Sequence, residues 1–309
     1  MDRPSVHVVI VNWNSGAQLK ECLQSFDSIA NDDVTLARVT VVDNASGDGS
    51  CDGLPATRLP LRVIRNTDNR GFAAACNQGA AGSDADCLLF LNPDTRLMPG
   101  SLERPAHYLQ AHDKVGIVGI QLVDSTGHVA RNTSRSPTPW SMTGNSLGLD
   151  RLMPSVFPSH FVSDWAHDET RAVDQVMGAF FLVRRSVFEL LGGFDETFFV
   201  YYEDLDFAVR ARQRGYGSVY LADARAFHRG QGTTENATER RTFYFYRSHM
   251  RYARKHFTAR AALAVAATVL VVTPILRILT LKSSPVETLS AFGGLWRELP
   301  TIWAGRRSF

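Results

Sequence analysis

Four short apolar runs, each stopped by Asn or Asp, constrain this chain more than any other feature. Val6-His-Val-Val-Ile-Val11 stops at Asn12, with Asn14-Ser-Gly16 just beyond it. Val39-Thr-Val-Val42 stops at Asp43-Asn44, and Leu61-Arg-Val-Ile64 leads to Asn69-Arg-Gly71. Cys87-Leu-Leu-Phe-Leu91 stops at Asn92-Pro-Asp94. Helical stretches lie between them, one amphipathic through Phe26 and one alanine-rich to about Gly79. Continuous apolar strands alternating with helices predict an α/β fold, with a mostly parallel sheet covered by helices on both faces. The pattern resumes at Val176-Met-Gly-Ala-Phe-Phe-Leu-Val183, and Gly217–Leu221 and Ala226–His228 read as closing strands.

In such sheets ligands settle beyond the carboxyl ends of the strands. Asn12, Asp43, Asn92 and Asp94 fall there; each alone is an ordinary turn former, but the repetition points to a crevice. A carboxylate at Asp94 is suited to Mg²⁺ or Mn²⁺, which prefer oxygen ligands shared with substrate phosphates. A plain Pro-Asp turn is its alternative. His228 is a further possible ligand, with a structural histidine as its alternative. Asp43 can accept hydrogen bonds from a base or ribose, while Asn69-Arg70-Gly71 offers a cation for phosphate and a glycine for close backbone approach. Gly47-Asp-Gly49 with Gly53 imitates a dinucleotide glycine pattern, but its spacing is wrong and no helix opens from it.

The segment Phe199-Val-Tyr-Tyr-Glu-Asp-Leu-Asp-Phe207 runs from aromatic residues into three acids, Glu203, Asp204 and Asp206, which open a helical pattern. A carboxylate beside aromatic rings is suited to taking a proton from a substrate hydroxyl. Acids also favour helix starts for electrostatic reasons, and Asp206 with Arg210 forms an i,i+4 pair.

A net charge of +2 over 309 residues gives no argument for nucleic acid as a partner. Cys22, Cys51, Cys76 and Cys87 lack C-x-x-C spacing and read as reduced thiols of a cytoplasmic protein. Met1-Asp-Arg-Pro-Ser5 is no signal peptide, so the triplets beginning at Asn44, Asn132 and Asn236 are taken as chance rather than glycosylation sites. Residues from about 125 to 172 are rich in Pro, Ser and Thr with isolated aromatics (Trp140, Phe157, Phe161, Trp165), which predicts an irregular acceptor-side insertion. Ala261–Leu281 is strongly apolar, flanked by Arg247, Arg251, Arg254, Lys255, Arg260 and Lys282. Pro274 and Arg277 are expected to interrupt it before a full membrane span, which favours a helix lying on or dipping into the membrane surface. A buried helix is the alternative, and Trp296 and Trp303 mark a second apolar patch.

Together these residues carry a resemblance. Val9-Ile-Val-Asn-Trp-Asn14, Val41-Val-Asp-Asn-Ala-Ser46, Asn69-Arg-Gly-Phe-Ala-Ala-Ala-Cys-Asn-Gln-Gly79 and Leu89-Phe-Leu-Asn-Pro-Asp94 are followed by Gly178-Ala-Phe-Phe-Leu-Val-Arg184. Gly193-Phe-Asp-Glu196, Tyr202-Glu-Asp-Leu-Asp206 and Arg212-Gln-Arg-Gly-Tyr216 complete the series. In that order they resemble the family 2 inverting glycosyltransferases of GT-A fold, and within them the bacterial rhamnosyltransferases of polysaccharide and cell-wall assembly.

The resemblance implies a nucleotide-sugar-binding, mixed and mostly parallel sheet over residues 1–235, followed by a helical, membrane-associating region over 236–309. It implies that Asp43 binds base and ribose with Asn12 and Asn14 nearby, and that Asn69, Arg70, Gly71, Phe72, Asn77 and Asn92 line the donor cleft. Asp94 matches the last acid of the family's D-x-D, whose first acid is replaced by Asn92 here, and His228 matches a position that can complete the shell of Mg²⁺ or Mn²⁺. Asp204 matches the catalytic base; Glu203 or Asp206 could serve instead, or position the acceptor. The implied reaction moves L-rhamnose from dTDP-rhamnose onto a polyprenyl-diphosphate-linked saccharide, at the cytoplasmic face of the membrane with peripheral contact and no nucleic acid. Arg240, Arg241, Arg247 and Arg251 are candidates for contacting the acceptor diphosphate, with a solvated basic helix as the favoured alternative for each. A UDP-sugar donor with another acceptor is the enzymatic alternative. A non-catalytic nucleotide-sugar-binding scaffold is the other, and intact Asp94 and Asp204 argue against it.

Overall fold

The computed structural model describes residues 3–29, 33–54, 59–160, 162, 164–230, 238–280 and 284–307. Met1, Asp2, Phe161, Asn236, Leu281 and Lys282, named above, lie outside the described residues. The chain divides into two compact units. The first comprises 1–135, 162–195 and 204–233; the second comprises 136–161, 196–203 and 234–309. The C-terminal helices thus share a unit with part of the insertion and with the aromatic run that precedes Asp204.

The first unit is built on strands β1 (Ser5–Asn12), β2 (Thr35–Asp43), β3 (Leu61–Arg65), β4 (Cys87–Leu91), β5 (Thr95–Leu97), β6 (Val115–Val123), β7 (Thr133–Ser134), β8 (Arg171–Val173), β9 (Gln175–Val176), β10 (Phe180–Arg184) and β11 (Gly217–His228). Its helices are α1 (Gln18–Ser25), α2 (Phe72–Ala80) and α3 (Glu103–Ala111). The main sheet runs β3-β2-β1-β4-β10-β6-β11-β5, with β8 also on β11; β7 and β9 pair separately. β3, β2, β1 and β4 are parallel, β10 is antiparallel between β4 and β6, and β11 returns parallel to β6. The two closing runs expected from the sequence form one strand, β11, whose register on β6 shifts between Leu221 and Arg225.

Alternation along β1 explains why both faces are covered. Val6, Val8 and Ile10 enter one core with Leu19, Leu23, Ala106 and Leu109 from α1 and α3. Val9 and Val11 enter the opposite core with Ala73, Ala75 and Cys76 of α2. Successive side chains of a strand point to opposite faces, so a strand buried on both is apolar except where a partner is supplied, as for His7, whose Nε2 meets Thr40 Oγ1 at 2.8 Å. α2 lies so close to the sheet that a Cβ at Gly79 would stand 2.4 Å from Val9 Cγ1. The second core also takes in Phe207, whose ring meets Phe181 at 5.7 Å and Phe194 at 5.1 Å. Such aromatic pairs contribute about 0.5–1.5 kcal/mol each beyond area burial.

In the second unit, α4 (Pro139–Leu147) and α5 (Leu149–Leu152) fall within the stretch expected to be irregular. Thr138 and Ser141 form a reciprocal capping box with Pro139 at the first turn, a local signal strong enough to start a helix in a Pro- and Ser-rich stretch. α6 (Arg185–Leu190) belongs to the first unit, as does α7 (Glu203–Gln213) from Asp204 onward. The C-terminal helices are α8 (Thr238–His256), α9 (Ala259–Ala267), α10 (Thr273–Leu279) and α11 (Pro285–Ala304). Tyr246 and Met250 of α8 pack with Ala266, Val269, Leu270, Phe292, Leu295 and Ile302 in a core of their own.

The expected interruption at Pro274 and Arg277 does not occur. α9 and α10 join into one 21-residue helix, Ala259–Leu279, with an 18-residue stretch of mean hydropathy 2.3. A wide π turn over Thr268–Val272 lies just before Pro274 and accommodates its missing N–H. Arg277 donates to Thr242 Oγ1 at 3.3 Å. By length and composition this helix could cross a membrane. It exposes Leu263, Val271, Val272, Ile275 and Leu279, and Trp296 of α11 is also exposed.

Candidate active site

The parallel register places Asn12 beside Asp43 at the ends of β1 and β2. Asn12 is fully buried and its Nδ2 donates to Asp43 Oδ1 at 3.1 Å, Ser46 Oγ at 3.0 Å and Ser50 Oγ at 2.9 Å. Asp43 also takes the Ser46 amide at 3.3 Å and has Arg65 Nη1 at 3.9 Å. Asn14 is exposed with φ +50°, and its Oδ1 accepts the Gly47 amide at 2.8 Å. Asn tolerates that left-handed conformation better than most residues.

Asn44 is the centre that sequence reading left without a role. Its Nδ2 donates to Asn69 Oδ1 at 2.9 Å and to the Gly71 carbonyl at 3.1 Å. Its Oδ1 accepts from Asn66 Nδ2 and the Arg70 amide, both at 3.1 Å. One buried amide therefore fixes the loop that leads into α2, with the Arg70 side chain left exposed. The signal was present: an Asn directly after a strand-end Asp can bind backbone on both sides. Asn44 and Asn132 are buried, so neither is a surface glycosylation acceptor in this fold.

Asn77 has a structural task that its sequence position does not announce. Its Nδ2 donates to the Phe194 carbonyl and its Oδ1 accepts the Phe194 amide, both at 2.9 Å. A Cβ at Gly193 (φ +78°) would fall 2.5 Å from Asn77 Oδ1. This side chain clamps the backbone ahead of the acidic helix.

Asp94 and His228 come together because β5 pairs antiparallel with the end of β11, setting His228 opposite Thr95. His228 Nε2 lies 3.3 Å from Asp94 Oδ1. One carboxylate and one imidazole make a partial shell, and no group of three or more His, Cys, Asp or Glu converges among the described residues. That donor set fits a divalent ion whose remaining positions are filled by phosphate oxygens and water. Asn92 contributes backbone: its amide donates to the Ala179 carbonyl at 3.0 Å, tying β4's end to the start of β10.

Asp204 lies next to that junction. Its Oδ2 accepts the Gly178 amide at 2.9 Å and its Oδ1 the Leu205 amide at 2.8 Å. A Cβ at Gly178 would touch this carboxylate at 3.5 Å and Phe72, the first residue of α2, at 4.0 Å. The chain of contacts Asp204–Gly178–Ala179–Asn92 thus leads from the acid toward the metal-suited pair. Burial pushes the Asp204 carboxyl up to about 6, against the opposing pull of the Leu205 and Gly178 amides and the Gln175 side chain. The residue as a whole is half-buried, but protein crowds its carboxyl closely enough for desolvation to dominate. No local sequence signal marked Gly178 or Gln175 as its partners.

The acids beside it differ. Glu203 is buried. Asp206 is fully buried and paired with Arg210 Nε at 2.8 Å. Arg210 in turn donates to the carbonyls of Leu191 and Gly193, each at 2.9 Å. The expected acceptor-side place of Asp206 is therefore replaced by an internal ion pair that anchors α7. Arg247 and Arg251 are likewise buried: Arg247 pairs with Glu298 at 2.7 Å, and Arg251 donates to the carbonyls of Thr197 and Arg306. Their charges are held by protein groups, which removes them from the acceptor-side set. Arg240 and Arg241 are exposed.

A buried polar network at the strand ends, a carboxylate–imidazole pair and an acid of raised proton affinity therefore lie on one α/β unit, an arrangement suited to an enzyme. The sequence profile of Glycosyl transferase family 2 matches residues 7–191, more than half of the chain. The chain belongs to this family and is a glycosyltransferase. It is 27% identical over 237 residues to the N-acetylglucosaminyl-diphospho-decaprenol L-rhamnosyltransferase of Mycobacterium tuberculosis, covering 72% of this chain and 75% of that one. It is 27% identical over 149 residues to rhamnosyltransferase WbbL of Escherichia coli, covering 47% and 53%. The fold is similar to that of the mannosyltransferase PcManGT from Pyrobaculum calidifontis, solved with GDP-Man and Mn²⁺. That match has a TM-score of 0.56 and 19% identity, and covers 99% of this chain and 85% of that one.

Proposed function

We propose that this glycosyltransferase inverts the transferred sugar in one displacement, with Asp204 as general base. The observation that carries the reading is the Asp204 carboxyl, aimed by two backbone amides and raised to about 6. A base near that value is ionised at neutral pH yet keeps enough proton affinity to take a hydroxyl proton as the bond to the sugar forms. Asn12, Asp43 and the Asn44-held loop 69–71 bind base and ribose, and the exposed Arg70 meets phosphate. Asp94 and His228 hold Mg²⁺ or Mn²⁺. When bound, the ion neutralises charge growing on the departing diphosphate.

The mycobacterial relative's name supports L-rhamnose as the sugar and a polyprenyl-diphosphate-linked saccharide as the acceptor; dTDP-rhamnose is the donor proposed from the resemblance to rhamnosyltransferases. The apolar face of Ala259–Leu279 and the exposed bases Arg240, Arg241, Arg254, Lys255 and Arg260 support peripheral contact with an anionic membrane at its cytoplasmic face. The division of labour proposed is sugar transfer on residues 1–235 and membrane contact on 236–309. The test is a donor screen with Mn²⁺ or Mg²⁺, setting dTDP-rhamnose against UDP- and GDP-sugars with a polyprenyl diphosphate-sugar acceptor. A rhamnose-sized mass gain on the lipid supports the reading; product only from another donor replaces the rhamnose assignment.

A further inference from the structure

The aromatic run before the acids is held in a conformation that its own residues do not favour. Tyr201 and Tyr202 have φ of +67° and +70°. Two successive bulky L-residues in the left-handed region are rare, because Cβ crowds the following carbonyl. Such a backbone persists only where its surroundings over-determine it.

α8 supplies those surroundings through two adjacent rows of side chains. Tyr244, Ser248 and Arg251, at i, i+4 and i+7, line up along the segment's backbone. The Tyr244 ring stacks on Phe199 at 4.5 Å, Ser248 Oγ donates to the Val200 carbonyl at 2.7 Å, and Arg251 donates to the Thr197 carbonyl. Phe245, His249 and Tyr252 form the neighbouring row and surround the Tyr202 ring at 5.7, 5.7 and 5.5 Å. The pin of this arrangement is polar: Tyr202 Oη lies 2.8 Å from His249 Nδ1, both buried.

The direction of that bond follows from the next link. Ser146 Oγ gives its hydrogen to the Met142 carbonyl at 2.9 Å, so toward His249 Nε2, 3.5 Å away, it can only accept. The arrangement that suits both contacts has the proton on Nε2, with Nδ1 accepting from the Tyr202 hydroxyl. Burial keeps the ring neutral, lowering His249 to about 3, with His160 adding to the effect.

We propose that His249 and Tyr202 are positioning residues: their hydrogen bond locks the left-handed Tyr201–Tyr202 backbone and so sets where α7 begins and where Asp204 points. The inference rests on Asp204 being the base. A buried tyrosine hydroxyl needs some partner in any fold. What exceeds that need is the concentration of α8 contacts along Thr197–Tyr202, the segment that ends one peptide before Glu203-Asp204.

The test uses the full-length protein with the donor and acceptor that give product, comparing wild type with Tyr202→Phe, His249→Phe, His249→Asn and Asp204→Asn. Asn places an acceptor near the position of Nδ1, whereas Phe does not. Tyr202→Phe and His249→Phe are expected to lower kcat by roughly 10- to 100-fold, the scale of a misplaced catalytic group, with KM for the nucleotide-sugar unchanged. His249→Asn is expected to recover most of that loss. In hydrogen–deuterium exchange the amides of 199–205 become less protected in both Phe variants, while the strands stay as in wild type. Wild-type kcat in Tyr202→Phe while Asp204→Asn is inactive overturns the positioning role and leaves the base in place. A kcat loss matched by an equal rise in KM, or no recovery with His249→Asn, also overturns it. Turnover by Asp204→Asn at the wild-type rate removes the base assignment and this inference with it.

Discussion

The strand-end network around Asn12, Asp43 and Asn44 and the acidic start of α7 are both polar sites, yet they are held in opposite ways. In the network each side chain has several partners from nearby loops: four for Asn44, and three for the Asn12 amide nitrogen. Asp204 instead depends on the amide of Gly178, 26 residues earlier in the chain, and on the helix that Asp206 and Arg210 anchor. The network is a distributed frame in which one loss is shared by several bonds. The acid is one group whose chemistry rests on where it points and how dry it is.

The largest expected effect follows from that concentration. Asp204→Asn keeps the shape and removes the base, so turnover should fall by about 10²–10⁴-fold while donor binding by calorimetry stays intact. Undiminished turnover would move the role to Glu203. Next comes the carboxylate–imidazole pair. Asp94→Ala should weaken Mn²⁺ affinity by roughly 10- to 100-fold, the value of one charge-assisted ligand, in a titration with nucleotide present. Equal affinity would take Asp94 out of the metal site.

Acid tests the contrast from another side. Asp204 must be ionised to act, so kcat should fall about tenfold per pH unit below about 6. A limb near the ordinary carboxylate value of 3.8 would mean a wetter carboxyl than the structure has. The sign for stability is opposite to that for activity. A carboxyl raised from 3.8 to about 6 contributes stability that is complete below 3.8 and lost as pH rises through about 6. His249, lowered from 6.5 to about 3, contributes stability that is present above 6.5 and lost as pH falls toward 3. The smallest effect belongs to the frame: Asn44→Ala should cost about 1–3 kcal/mol in denaturant unfolding and raise donor KM before it lowers kcat. A large kcat loss with unchanged KM would erase the distinction between the two regions.

The same difference decides what the sequence makes legible. Apolar runs ending in Asn or Asp announce the frame, because strand and turn are local and parallel register brings Asn12 to Asp43. The pairing of Asp94 with His228 needed only the return of one strand, and both residues were visible at strand ends. The partners of Asp204 were not, since Gly178 and Gln175 carry no chemistry of their own and meet it only through the tertiary fold. Asp206, Arg247 and Arg251 misled for the complementary reason: a charge in a sequence does not say whether a buried partner already holds it. The helix 139–147 was hidden by Pro and Ser that serve as its caps, and the helix 259–279 by a proline that a π turn absorbs.

The most direct test of the central claim is the anomeric configuration of the transferred sugar, read by NMR on product from wild-type protein. A single displacement driven by Asp204 predicts a product whose anomeric centre is inverted relative to the nucleotide-sugar. A retained configuration would contradict it, because the proton-accepting role given to Asp204 would then lack the one-step reaction it serves.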